Sequence, residues 1–163
     1  MHCHGLMVCM KRTLHKRKTP LQHRAKRAKM PRRASKRKKS TPTITKVKKQ
    51  LWEECRRITR ERYGNTCYTC ERTPLDGSNW QTGHFISSSI CSVYLRYHLD
   101  NLRPQCYNCN INKSGNWVAF EEHLVKEFGA EFPENLKRLN RETTGKQYDV
   151  LWYLNKIAEY RSL

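Results

Sequence analysis

Residues 67–113 read CYTCERTPLDGSNWQTGHFISSSICSVYLRYHLDNLRPQCYNCNINK, and the two ends of that stretch decide the fold. Cys67-x-x-Cys70 and Cys106-x-x-Cys109 are knuckles of equal spacing, separated by 35 residues. Each can turn two thiolates onto one ion, and two such pairs complete the tetrahedral four-thiolate shell that suits zinc. A shell closed by four thiolates leaves no open position, so the zinc is expected to be structural. Disulfides or buried free thiols are the competing readings, and disulfides suit a secreted chain better than one that looks intracellular. The span between the knuckles is longer than in a compact zinc ribbon, so they are expected to clamp the ends of a separate small unit. Cys55 and Cys91 stay outside this scheme, with Cys55 read as a buried small hydrophobe.

Between the knuckles, Pro74 to Asn79 is rich in turn formers, and Trp80-Gln81-Thr82-Gly83-His84-Phe85 reads as a strand with His84 near its end. A serine-rich connection, Ser87 to Ser92, leads to Tyr94-Leu95-Arg96-Tyr97-His98-Leu99. A second strand is expected over Asp100 to Gln105, running into the second knuckle, and Cys109 to Lys113 can open a short helix. The order is strand, loop, strand, helix, with zinc pinning both ends.

Knuckle, strand ending in Gly-His, Asn-Leu before the second knuckle, then Cys-Asn-x-x-Lys, resembles the HNH or ββα-metal nuclease motif. The longer strings WQTGHF, DNLRPQC and CNINKSGN are similar to the phage NinG family, also called Rap, of recombination nucleases. The resemblance covers roughly residues 51–163 and is densest from Cys67 to Asn116. It implies His84 as the general base, since a neutral imidazole can take a proton from water at working pH. It implies Asn101 as the central asparagine whose side-chain amide ties the strand to the loop and holds the histidine. It places Asn110 where the family carries a metal ligand, with a carbonyl oxygen suited to Mg²⁺ or Mn²⁺. Lys113, on nearly the same helix face, could contact phosphate, and Arg103 is a further candidate for DNA contact.

One position departs from the pattern. Many HNH enzymes carry Asp or His before the general base as a second metal ligand, and here that residue is Gly83. His98 and Asp100 are the nearest replacements. The same residues have plainer readings: Asn101 and Asn110 could cap turns or the helix, Lys113 could be a solvated charge, and His84 alone could be an ordinary strand-end histidine. His123 lies in a helical pattern without a motif around it.

Helical stripes flank the motif. Leu51, Cys55 and Ile58 share a face, with Trp52, Thr59 and Tyr63 beside them and Gly64 as a stop. Trp117, Phe120, Leu124 and Phe128 recur at spacings of three and four, and Pro133 could open a short helix through Leu139. A last helix is expected from about Gln147 to Tyr160, burying Leu151, Leu154, Ile157 and Ala158. These stripes read as core.

Charge divides the chain. The whole carries +19, but residues 1–50 hold 18 Lys and Arg and no acid, whereas residues 51–163 hold 15 Lys and Arg against 14 acids. The first segment, broken by Pro20, Pro31 and Pro42, has too few apolar side chains to offset its ordering entropy and is expected to be disordered. Lys36, Arg37, Lys38 and Lys39 lie in its densest run. Such a tail binds a polyanion with salt-sensitive, sequence-blind affinity, because each neutralised phosphate releases counterions. A solubilising tail or transit peptide is the alternative. His2, Cys3, His4 and Cys9 are metal-binding types without a recognisable spacing. Apolar runs no longer than five residues exclude a membrane-spanning helix, and nothing resembles a secretory signal.

The expected protein is α+β and mainly helical: a disordered basic tail over 1–49, and a zinc-pinned ββα-metal (HNH) core with flanking helices over 50–163. Its expected function is that of a cytoplasmic, metal-dependent DNA endonuclease, with zinc structural and Mg²⁺ or Mn²⁺ catalytic. The family resemblance implies branched recombination intermediates as substrates. The competing reading is a non-catalytic zinc-knuckle protein that binds DNA or RNA. Symmetric cleavage of a four-way junction would favour a homodimer.

Overall fold

Helix α1 (Ile44–Tyr63) opens a computed structural model that describes residues 41–163. It is followed by β1 (Trp80–His84), α2 (Val93–Arg96), β2 (Leu102–Cys106), α3 (Trp117–Phe128), α4 (Glu131–Thr143) and α5 (Val150–Arg161). The described chain is therefore mixed, mostly helical with one small two-stranded antiparallel sheet. Lys36, Arg37, Lys38 and Lys39, and the His2, Cys3, His4 and Cys9 group, lie outside the described residues. Among those described, no helix is long and apolar enough to cross a membrane.

The boundary read from charge falls at residue 49, whereas α1 begins at Ile44. Two local features extend the helix into the basic run. The Thr43 hydroxyl accepts the Lys46 N–H, satisfying one orphan donor of the first turn. Val47, one turn before Leu51, continues the buried stripe of Leu51, Cys55 and Ile58. Gly64, at φ 68°, ends the helix with its N–H on the Arg60 carbonyl.

α5 packs on α1, capped by Asp149, whose carboxylate accepts the Trp152 N–H at 2.9 Å. It buries Tyr153, Ile157 and Tyr160, while Leu151 and Ala158, both expected inside, are exposed. The aromatic face wins because the Tyr160 hydroxyl finds a partner and the Tyr153 ring packs on Tyr97. Tyr160 donates to the Tyr97 carbonyl at 2.8 Å, and the Tyr153 ring meets Tyr97 edge-on. The Cys55 thiol lies fully buried against the same carbonyl, and burial pushes it up to about 12, which leaves it chemically inert.

In the ribbon, Trp80 pairs with Cys106 at one end and His84 with Leu102 at the other. It sits where three small cores meet. Leu102 joins the α1–α5 cluster, Trp80 joins the cluster around the cysteines, and Phe85 joins Leu95, Phe120, Leu124 and Leu136. Of the α3 stripe only Phe120 and Leu124 are buried; Trp117 and Phe128 are exposed. α4 runs longer than the expected Pro133–Leu139, because Pro133 falls in its first turn, where a missing N–H costs no helical bond.

Candidate functional site

At the Trp80–Cys106 end, the sulfurs of Cys67, Cys70, Cys106 and Cys109 all lie within 4.8 Å of one another, with Cys70 and Cys106 at 3.7 Å. A tetrahedron with zinc–sulfur bonds of about 2.3 Å has edges of about 3.8 Å, so the spacing fits that ion. Backbone N–H groups already point at the sulfurs: Cys106 N–H donates to Cys67 at 3.2 Å and Cys109 N–H to Cys106 at 3.4 Å. Burial pushes the Cys67 thiol up, but the Cys106 N–H and the Thr69 hydroxyl outweigh it and bring the group down to about 6. Burial, with the neighbouring thiols, pushes Cys70 up to about 12. One ready thiolate beside reluctant thiols is the behaviour of close sulfurs without a cation, and a bound dication would bring the rest down. These four residues could hold zinc. No other group of three or more His, Cys, Asp or Glu is placed for a metal among the described residues.

Gln105 carries the knuckles' rigidity along the ribbon. It is fully buried, and its amide donates to the Thr69 hydroxyl at 3.2 Å and to the Gly115 carbonyl at 2.6 Å. Its side chain lies over Gly83, where an added Cβ would stand 1.9 Å from Gln105 Oε1. Position 83 therefore has no room for a side chain: the space one would need is filled by the amide that bonds Thr69 and Gly115.

At the other end of the ribbon His84 is half-buried. Its ring stacks on Trp52 of α1, 5.2 Å between centroids and 5° from parallel, and its Nε2 lies 3.0 Å from the Arg96 carbonyl. A carbonyl can only accept, so Nε2 carries the proton and Nδ1 the lone pair. Burial lowers the imidazole to about 4, outweighing the raising effect of that carbonyl, so the ring stays neutral at physiological pH. Adjoining depressions of about 240, 490 and 500 Å³ meet at this residue. The last also reaches Asn110, Ser87 and Gly115, so His84 and Asn110 line one cleft.

Asn101 lies behind the cleft, fully buried in the turn immediately before β2. Its Oδ1 accepts the Ile86 N–H at 2.8 Å, and its Nδ2 donates to the Ile86 and Leu95 carbonyls, both at 3.2 Å. One amide therefore fixes the chain two residues after His84 and the residue before Arg96, whose carbonyl holds the imidazole.

Other expected site residues fall elsewhere. Asn110 stands on a wide turn, Asn108–Asn112, closed by the Lys113 N–H on the Asn108 carbonyl five residues back. Lys113 caps this turn, exposed and outside the cleft lining, instead of continuing an α-helical face. Arg103, expected at the DNA surface, is fully buried. Its guanidinium lies against the rings of Tyr63, Tyr68 and Phe128 and donates to the Asp100 and Leu102 carbonyls, so it is a core cation. His98 and Asp100 face each other at 3.8 Å, and neither lines the cleft. His123 bonds the Tyr68 carbonyl, tying α3 to the first knuckle.

Two cleft residues had no signal in the sequence. Trp52 reads as a flank of the α1 stripe, and only the fold brings it onto His84. Arg96 lies in an unremarkable segment, yet its carbonyl holds His84 and its guanidinium bonds the Ser88 carbonyl at 2.8 Å, beside the imidazole.

The family described as "Bacteriophage Lambda NinG protein" matches residues 2–163 of this chain. Protein ninG of Escherichia phage lambda is 30% identical over 71 residues, which cover 44% of this chain and 33% of that protein. Protein ninG of Escherichia phage 933W is 30% identical over 71 residues, 44% of this chain and 34% of its own. The matched stretch thus spans about a third of the length of these relatives. No solved structure matches.

Proposed function

The chain belongs to the NinG family, and from that premise we propose that it is a metal-dependent endonuclease of the HNH type, equivalent to the Rap recombination nucleases, that hydrolyses DNA phosphodiesters. The observation that carries the reading is His84, held neutral with Nε2–H on the Arg96 carbonyl and opening with Asn110 onto one cleft. Nδ1 takes a proton from water as its oxygen attacks phosphorus. The phosphorus–oxygen bond to the leaving strand breaks, and the departing oxygen takes a proton from solvent. Trp52 and the Arg96 carbonyl fix the plane and tilt of the ring, and Asn101 holds the two segments that carry the ring and that carbonyl. The exposed Arg96 guanidinium lies where it can meet a phosphate oxygen, and Lys113 contacts the backbone nearby.

The cleft supplies hard oxygen donors, the Asn110 amide and serine hydroxyls, and no carboxylate. A Mg²⁺ or Mn²⁺ ion there would be held by these few neutral donors and would take its anionic ligands and remaining positions from phosphate and water. When bound, such an ion would stabilise charge developing on the phosphoryl and leaving oxygens. Zinc in the four-cysteine site would be structural. The basic tail adds sequence-blind affinity, with Lys36, Arg37, Lys38 and Lys39 among its phosphate contacts. Branched recombination intermediates are the proposed substrates, a homodimer the form that would cut a junction symmetrically, and the cytoplasm the place of action.

The cleft's lack of a carboxylate or second imidazole favours one other reading, a non-catalytic zinc-knuckle protein that binds DNA or RNA. Linear, flap and four-way DNA incubated with Mg²⁺ and either wild type or His84→Ala separates the two. Cleavage by wild type that falls by roughly 10²–10⁴ in the variant, with binding retained, supports the nuclease. No cleavage by wild type on any of these DNAs supports the binder.

A further inference from the structure

One of the depressions that meet at His84, about 490 Å³, runs from Phe85 to Trp117 on α3 and to Lys137, Asn140 and Arg141 on α4. Its walls differ in chemistry. Trp117 is 58% exposed in the first turn of α3, and Ile90, which also lines the depression, is 72% exposed. Large apolar faces left in water beside a polar cleft mark a place where something docks. The α4 wall offers donors. Asn140 already accepts the Ser92 N–H through Oδ1 at 2.7 Å, so its NH₂ remains to donate. Arg141 makes no ion pair among the described residues, whereas Lys137 is held by Glu121 and Glu134 at 2.6 and 2.8 Å. The occupant must therefore be flat and apolar on its face, rich in acceptors at its edge, and anionic nearby.

A nucleobase joined to its phosphate has those three properties. We propose that this depression receives one unstacked base of the DNA whose phosphodiester lies at His84, with the Trp117 indole stacking on it and Asn140 and Arg141 donating to its edge or its phosphate. The substrate is then DNA with at least one unpaired nucleotide beside the cut, because a paired base keeps its faces in the duplex stack. This rests on the nuclease reading for the identity of the polymer and for the place of the phosphodiester.

Binding of full-length protein, without added Mg²⁺, to a fully paired duplex and to the same duplex carrying a single-stranded flap tests it. Stacking is sequence-tolerant, so Trp117→Ala is expected to weaken flap binding about 10-fold while changing duplex binding by less than about 2-fold, and Trp117→Phe to keep most of the affinity. Equal losses on both DNAs, or none on the flap, overturn the proposal. So does a change in sedimentation mass in Trp117→Ala, which would mean that a second copy of the chain covers the indole. Selective loss of flap binding together with cleavage indifferent to His84→Ala would leave the base site standing and remove the catalytic reading. Unchanged flap binding with His84-dependent cleavage would do the reverse.

Discussion

The two ends of the β1–β2 ribbon are built on opposite plans. At the Trp80–Cys106 end four sulfurs converge, and the chain supplies every position of a tetrahedral shell. At the His84–Leu102 end one imidazole opens on a cleft whose other polar side chains are the amides of Gln81 and Asn110, hydroxyls and one guanidinium. Four thiolates around a metal would leave it no open position, whereas the imidazole end leaves a cleft in which a ligand could bind. Gln105 joins the two plans, since the amide that braces Thr69 and Gly115 is the group that bars a side chain at Gly83.

If the closed end holds the fold, the largest effect should follow its loss. Structural zinc contributes on the order of 10 kcal/mol of binding free energy, comparable with the roughly 5–15 kcal/mol stability of a whole domain. Cys106→Ser is therefore expected to abolish the cooperative near-ultraviolet melt, and metal analysis of wild type to find one zinc per chain. A native melt with no zinc bound would erase the distinction between the ends.

Asn101→Ala comes next, because it strands the Ile86 N–H, the Ile86 carbonyl and the buried Leu95 carbonyl. Urea midpoints should report a loss of about 2–4 kcal/mol with zinc still bound. An unchanged midpoint would mean that this amide does not brace the open end. Gly83→Ala drives a Cβ into Gln105 and should cost about 1–3 kcal/mol, whereas a variant as stable as its parent would show Gln105 free to move aside. The last effect is confined to acid pH. Burial lowers His84 from 6.5 to about 4, so above 6.5 the group adds no pH dependence. As pH falls from 6.5 toward 4 the unfolded chain takes up a proton that the fold refuses, and stability declines over that window. His84→Gln should flatten that part of the profile; an identical profile would place the imidazole in ordinary solvent.

The closed end was legible because each of its ligands is a cysteine at a spacing that fixes a turn. His84 and Asn110 could be picked out only through the family's ordered motif, since a strand-end histidine and a turn asparagine have no chemistry of their own. Contacts between distant elements stayed hidden. Trp52 meets His84, and Tyr63, Tyr68 and Phe128 enclose Arg103, only after the ribbon docks on the helices, so an arginine in a basic chain read as a DNA contact. Periodicity placed α5 and put Ile157 and Leu154 on its core side, but missed that Tyr153 and Tyr160 take the buried positions expected for Leu151 and Ala158, where Tyr160 bonds its hydroxyl and Tyr153 packs its ring edge.

The separation of the two ends is tested most directly on a single His84→Ala preparation, by measuring its zinc content, its melting temperature and its cleavage of DNA with Mg²⁺. One zinc per chain, a melt within a few degrees of wild type and cleavage reduced by at least about 100-fold is the expected result. Full cleavage by a folded, zinc-loaded His84→Ala protein would contradict it.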